Sequence, residues 1–490
     1  MTFRHKACRL TVEALWALLA LALPFTSFPL VARLTGSSMV APAALLPLGA
    51  LMVLWFLPQL WQGARLPRLI LPLLAFAGAG LLSTFLSYFL PLPLFREIPP
   101  YRQQIEALAT LAMGMGFYLL TTLWTGDPER RRAFLRWVNR SGVILIAAAL
   151  AQALFWRLNG AYPQWMDTLQ TWLVTHELYP ARASAVAFEP SWLAHQLNML
   201  YLPWWLAASL RNESVHRWRL GFLTAERLLL LGGLASLVVS VSRVGLLALV
   251  LMIAALLFGG ALRLMAWMQD HLTRRSRAQG FTRTFLRAAV GAAIILLVGA
   301  LVLGIFAGSA IALRRFDPRM EKFFDIRVLL VKGSFLAYAN QLVFAERLIF
   351  WQAGWQVFND HPLFGVGMGN VGYFFPRTLS AFSWNLTEVS TLMYHLNIIP
   401  NAKSLWVRLL AETGALGFSC FLVWLILQGW TARQLLTSRQ ALSGTIGLTG
   451  LLLLTGLIAE GFSVDTFGLP YYWITLALVS GAAFDKGVES

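Results

Sequence analysis

Apolar runs of roughly 17 to 25 residues, the length a helix needs to cross a bilayer, recur along nearly the whole chain. They fall near 10–31, 39–61, 69–91, 105–124, 141–156, 190–210, 226–242, 244–268, 288–313, 404–430, 443–461 and 466–484. The pattern predicts an all-α polytopic membrane protein with about twelve transmembrane helices. Nine lie within 1–313 and three within 403–490, and the interval 314–402 is long and mixed enough to fold outside the membrane. The N-terminal "MTFRHKACRL" has the basic start of a signal peptide. Its apolar run reaches about Val31 and further spans follow, so a first transmembrane helix is expected.

Inside the long loop, "AERLIFWQAGWQVF" (345–358) places Leu348, Trp351, Trp355 and Phe358 at helical spacing. This predicts an amphipathic helix lying along the membrane surface with its aromatics in the interface. The following "NDHPLFGVGMGN" is rich in turn formers, and Gly365, Gly367 and Gly369 suggest a flexible turn. A GxGxG run that follows no strand lacks the context of a dinucleotide site.

Composition strengthens the membrane reading. Of 490 residues, 58% are hydrophobic and 12% charged, against roughly 25% charged in a soluble domain; mean hydropathy is +0.65. The formal net charge of +17 is compatible with nucleic acid, a membrane surface or an anionic substrate. No basic soluble module is present to hold nucleic acid. The two cysteines, Cys8 and Cys420, do not form a pair, and no metal-ligand spacing or cofactor motif occurs.

Much of the charge is a topology signal. Basic residues in short loops prefer the cytoplasm, and alternate loops carry Arg65 and Arg68, "ERRRAFLR" (129–136), "RNESVHRWRL" (211–220), "HLTRRSRAQGFTR" (271–283), and Arg433 and Arg439. With Arg4, Lys6 and Arg9 also inside, both termini are expected in the cytoplasm and 314–402 outside. The informative cations are those on the disfavoured face: Arg243, Arg314, Arg315, Arg319, Lys322, Arg347, Arg377, Lys403 and Arg408.

Three segments concentrate them. In "PNAKSLWVRLLAETGALGF" (400–418), Pro400 and Asn401 suggest a helix beginning at Ala402 with Asn401 as its cap. Free amides at a helix start, with Lys403 beside them, would attract an anion. Ser404, Arg408 and Glu412 share one helical face. An ionisable group left in lipid costs roughly 2.5 to 3.5 kcal/mol, so Arg408 and Glu412 either face a cavity or pair with each other. In "LASLVVSVSRVGLLALV" (234–250), Arg243 separates two spans with almost no loop, beside Ser240 and Ser242. In "AFEPSWLAHQLNML" (187–200), His195 and Gln196 read as a buried hydrogen-bonded pair, and Glu189 stands at the outer mouth. Cations converging on the outer face suit a lipid-anchored anion, best a lipid pyrophosphate, with each charge-assisted contact worth roughly 1.5 to 3 kcal/mol.

The order "SR" at the start of a span, then "ERLIFWQAGWQVFNDHPLFGVGMGN", then "LLAETGALGF" resembles the O-antigen ligase and O-antigen polymerase family of bacterial inner membranes, over roughly 187–418. The resemblance implies a GT-C-like bundle acting as a metal-independent, inverting glycosyltransferase at the periplasmic face. Its donor would be an undecaprenyl-pyrophosphate-linked glycan, its acceptor another glycan, with membrane lipids around it and a chain-length regulator as a further partner. Arg243 and Arg347 match family arginines expected to bind the pyrophosphate, joined here by Lys403 and Arg408. Ligases of the family carry a His-Asn pair ahead of "LAETG", where this chain has Lys403 and Ser404. That variant, with "FEPS", favours a polysaccharide polymerase over a ligase. The base that activates the acceptor is then Glu189, His395 or Glu412, or no strong base is needed because diphosphate leaves readily. A lipid-linked oligosaccharide flippase is the competing class. It predicts a cationic path through mid-membrane, which the sequence does not show.

Overall fold

The computed structural model describes residues 3–275 apart from 38 and 94, isolated positions between 289 and 311, and 345–484 apart from 397. Among these, six helices are long and apolar enough to cross a bilayer: Arg68–Phe89, Pro100–Thr125, Pro128–Asn159, Arg243–Met268, Leu405–Leu436 and Ala441–Glu460. Leu45–Trp61 and Tyr471–Phe484 are shorter apolar helices. The structure is thus all-α at its core, with one two-stranded hairpin at Arg219–Leu220 and Leu223–Thr224 among the described residues.

The twelve expected spans correspond unevenly to these helices. The first run breaks after Phe3–Ala22, and a short helix restarts at Pro29–Thr35. The run at 141–156 is the middle of a 32-residue helix, Pro128–Asn159, which takes "ERRR" into its first turns under an Asp127 cap. The run at 190–210 is helical but interrupted by a π-helical turn, Leu197–Tyr201. The run at 288–313 lies mostly outside the described residues.

Tyr471–Phe484 sits at the centre. It is apolar on all sides, and every residue from Tyr471 to Ala483 is buried, which suits a helix wrapped by others rather than one edged by solvent. Pro100–Thr125, Leu405–Leu436 and Ala441–Glu460 pack around it. Two of its polar groups are matched from neighbouring helices: Thr475 donates to Met199 O at 2.7 Å, and Ser480 joins Tyr118 and Gln428 in a buried network.

The Leu405–Leu436 helix is broken at Gly414, where φ is 64° and ψ −170°. The break releases helical hydrogen-bonding groups, and 362–367 takes them up. Ala415 and Leu416 N–H donate to Pro362 and Leu363 O at 2.8 and 3.2 Å, while Ala411 and Glu412 O accept from Val366 and Gly367 N–H, both at 3.0 Å. Ser83 Oγ also donates to Glu412 O at 2.6 Å. The glycine-rich turn is therefore a packed clamp and not a flexible loop. A Cβ on Gly365 would lie 2.5 Å from Glu412 C, and one on Gly369 would lie 2.4 Å from Gln103 O.

The outer helix, Ala345–Asp360, also departs from expectation. Its buried face is Ile349, Phe350, Ala353 and Val357, joined to a second core with Val366, Phe375, Leu392, Met393, Val407 and Ala411. Trp355, expected on the apolar face, is half exposed. The helix docks on the first half of the broken helix, so protein covers the face that counts.

Candidate functional site

The short connection 460–470, "EGFSVDTFGLP", is where two of the candidate cations, Arg347 and Arg408, meet. Arg347, in the first turn of the outer helix, donates from Nη1 to Ser463 Oγ at 3.1 Å and Ser463 O at 3.3 Å. Arg408 donates from Nη1 to Asp465 O at 2.7 Å and from Nε to Glu412 Oε2 at 3.0 Å. Ser463 and Asp465 are two residues apart, at most about 7 Å along the backbone. The two guanidinium groups are therefore neighbours although 61 positions separate them in sequence (408 less 347).

Lys403 borders the same connection. Its carbonyl accepts from Trp351 Nε1 at 3.3 Å, the Trp351 ring lies 5.0 Å from Phe462, and Gly461 O accepts from Leu405 N–H at 2.7 Å and Ser404 Oγ at 3.1 Å. These bonds revise the expected helix start. The helix begins at Leu405, with Ser404 as N-cap accepting from Val407 N–H, and Lys403 stands before it at φ 53°. Because Gly461 O and Ser404 Oγ already occupy the Leu405 and Val407 amides, the anion site would rest on side-chain charge more than on free helix amides.

Arg243 opens the Arg243–Arg275 helix after a two-residue turn, with Val241 at φ 52°. Asn198 Nδ2 ties that corner to the connection, donating to Gly245 O at 2.8 Å and to Glu460 Oε1 at 2.7 Å. The other Glu460 oxygen faces His195 Nδ1 at 3.3 Å. His195 is thus paired with a carboxylate 265 positions away and not with Gln196. One buried carboxylate joins the 190–210 segment, the Arg243 helix and the end of Ala441–Glu460.

The three candidate bases occupy different settings. Glu412 is 2% exposed and ion-paired with Arg408. Glu189 is partly buried at the start of Pro190–Gln196 and accepts from Ser191 Oγ. Near it, burial and the Glu189 carboxylate push the Tyr179 hydroxyl up to about 12, with Arg182 opposing. Arg182 Nε donates to Ser240 O at 3.3 Å, which sets this group against the Arg243 corner. His395 is exposed at the end of the π-helical turn Thr391–His395. Arg377 is exposed in Phe375–Thr378. Arg314, Arg315, Arg319 and Lys322 lie outside the described residues.

Sequence reasoning missed Glu460, Ser463 and Asp465. Two carboxylates within six residues of a tight link between apolar spans were the available signal. Asp465 Oδ2, the Tyr472 hydroxyl and His195 Nε2 are buried without a hydrogen-bond partner in the structure, so this end of the bundle is polar beyond what packing requires. Among the described residues no group of three or more His, Cys, Asp or Glu could hold a metal ion.

An apolar helical bundle with six helices long enough to cross a bilayer, and with Arg347 and Arg408 held on one linker at its end, defines a multi-pass membrane protein. Residues 228–422 match the family model described as O-Antigen ligase. Members of that family are membrane glycosyltransferases of the O-antigen ligase and polymerase type, acting on lipid-linked glycans. The matched region contains Arg243, Arg347, His395, Lys403, Arg408 and Glu412; Glu189, Glu460 and Asp465 fall outside it. A comparison with curated proteins finds no match.

Proposed function

We propose that the protein is a polysaccharide polymerase of the bacterial inner membrane. It transfers a glycan from undecaprenyl pyrophosphate to the acceptor sugar of another lipid-linked repeat unit at the periplasmic face, both termini being cytoplasmic. The observation that carries the reading is the anchoring of Arg347 and Arg408 on Ser463 and Asp465, with Lys403 and Arg243 tied to the same connection through their neighbours. These four cations bind the diphosphate. Glu412 holds Arg408 in place.

In the transfer, an acceptor hydroxyl oxygen attacks the anomeric carbon opposite the diphosphate. The carbon–oxygen bond to the diphosphate breaks with its electron pair on the phosphate oxygen, where the cations stabilise the growing negative charge. The anomeric configuration inverts. The hydroxyl proton passes to Glu189, the candidate carboxylate that is neither committed to an arginine nor remote from the Arg243 corner. His395, on the exposed face of the outer segment, is left outside this step.

The family description favours a second reading, a ligase that moves the finished chain to lipid A-core or another acceptor. Purified protein given lipid-linked repeat units alone separates the two. A polymerase builds a ladder of lengthened products, whereas a ligase gives none until its acceptor is added. Translocation in liposomes with no new glycosidic bond would favour a carrier instead. Arg243→Ala and Arg347→Ala each abolish product while the protein stays in the membrane; near-normal turnover in both would overturn the diphosphate assignment.

A further inference from the structure

At the opposite end of the bundle the first turn of Pro128–Asn159, the chain just after 190–210 and the first turn of Ala441–Glu460 border a half-open cavity of about 260 Å³. Pro128, Arg131, Arg132, Glu213, Gln440 and Ser443 line it. Ala441–Glu460 has 20 residues, which at 1.5 Å each puts this cavity about 30 Å from Glu460. It is therefore separate from the transfer site, and it rests on the proposed function only for placing this end at the cytoplasmic surface.

The lining is built for an anion. Arg131 is 1% exposed. Arg132 Nη2 is held by Glu213 Oε1 at 3.1 Å, yet its side chain keeps 46% of its surface open. Arg211 lies alongside, its guanidinium packed over Gly444. Two arginines against the Glu213 carboxylate leave the lining with one positive charge in excess (2 − 1 = 1), and Arg211 adds to it from outside the lining. Planar guanidinium groups match phosphate geometry, and basic pockets between membrane helices at the cytoplasmic surface take lipid phosphate headgroups. The volume is below the roughly 300–1,000 Å³ of pockets for drug-sized ligands. It suits a headgroup and is too small for a glycan.

We infer that this cavity binds the phosphate ester of an anionic phospholipid headgroup, with Arg131 and Arg132 as its ligands. Two sources of phosphate are separable by experiment. Full-length protein in phosphatidylcholine nanodiscs is compared with and without phosphatidylglycerol, and separately with inorganic phosphate at matched ionic strength. Phosphatidylglycerol raises the unfolding midpoint by about 3 °C, inorganic phosphate alone does not, and Arg132→Gln and Arg131→Gln lose the rise. If Arg131→Gln does not fold, Arg132→Gln decides, together with native mass spectrometry, in which the variant retains fewer phosphatidylglycerol molecules than the parent. A full rise and full lipid retention in Arg132→Gln would overturn the inference. So would a rise produced by inorganic phosphate alone to which the lipid adds nothing.

Discussion

Replacing Gly414 with alanine strikes the break on which the candidate site is built. At φ 64° and ψ −170° the position lies in backbone space reserved for glycine, and a side chain there costs about 1–3 kcal/mol in strain. Space is also lacking: an added Cβ would stand 2.3 Å from Leu363 O and 2.4 Å from Leu363 C, both backbone atoms. Moving Leu363 loosens the four bonds between 362–367 and 411–416, each worth about 1 kcal/mol net. Loss of two of them adds about 2 kcal/mol, so Gly414→Ala destabilises by about 3–5 kcal/mol. Gly78→Ala is the control, since it is helical with nothing within 4 Å of the new Cβ, and it gains about 0.5–1 kcal/mol. Thermal unfolding in detergent measures both. Because Arg408 rides on the half-helix before the break, transfer also falls in Gly414→Ala. An unfolding midpoint equal to that of the parent would refute the clamp.

Glu412→Ala leaves Arg408 buried without its carboxylate partner, with its bond to the Asp465 carbonyl remaining, costing about 3 kcal/mol, whereas the double change of Arg408 and Glu412 to methionine recovers most of the stability and none of the transfer; unfolding and product assays read the two effects separately. Lys403→Ala lowers transfer more than Lys403→Arg, because charge matters more than shape there. Lys403→Gly is as inactive as Lys403→Ala but more stable, since it relieves the positive φ. His216, in the connection after 190–210, is held below its ordinary value chiefly by burial. The folded protein therefore binds this proton less readily than the unfolded chain, and stability falls as pH drops below about 6.5 towards the lowered folded value. His216→Gln flattens that decline in a comparison of unfolding midpoints at neutral and mildly acid pH.

The sequence by itself determined that this is a helical membrane protein, because crossing a bilayer requires long apolar runs and those are visible residue by residue. It also singled out Arg243, Arg347, Lys403 and Arg408, since a charge out of place in such a run is a local anomaly. Local pattern could not separate a span from a buried core helix, and Tyr471–Phe484 reads the same either way. Nor could it choose the docked face of Ala345–Asp360, which depends on Val366, Phe375 and Val407 arriving from elsewhere in the chain. Only the tertiary structure decided that 460–470 would gather Arg347 and Arg408 and that Glu412 would pair with Arg408 beneath a clamp from 362–367. Those bonds join groups up to 116 positions apart. Hydrophobicity acts on each segment alone, but a buried donor or charge is satisfied only by whatever partner the fold brings to it.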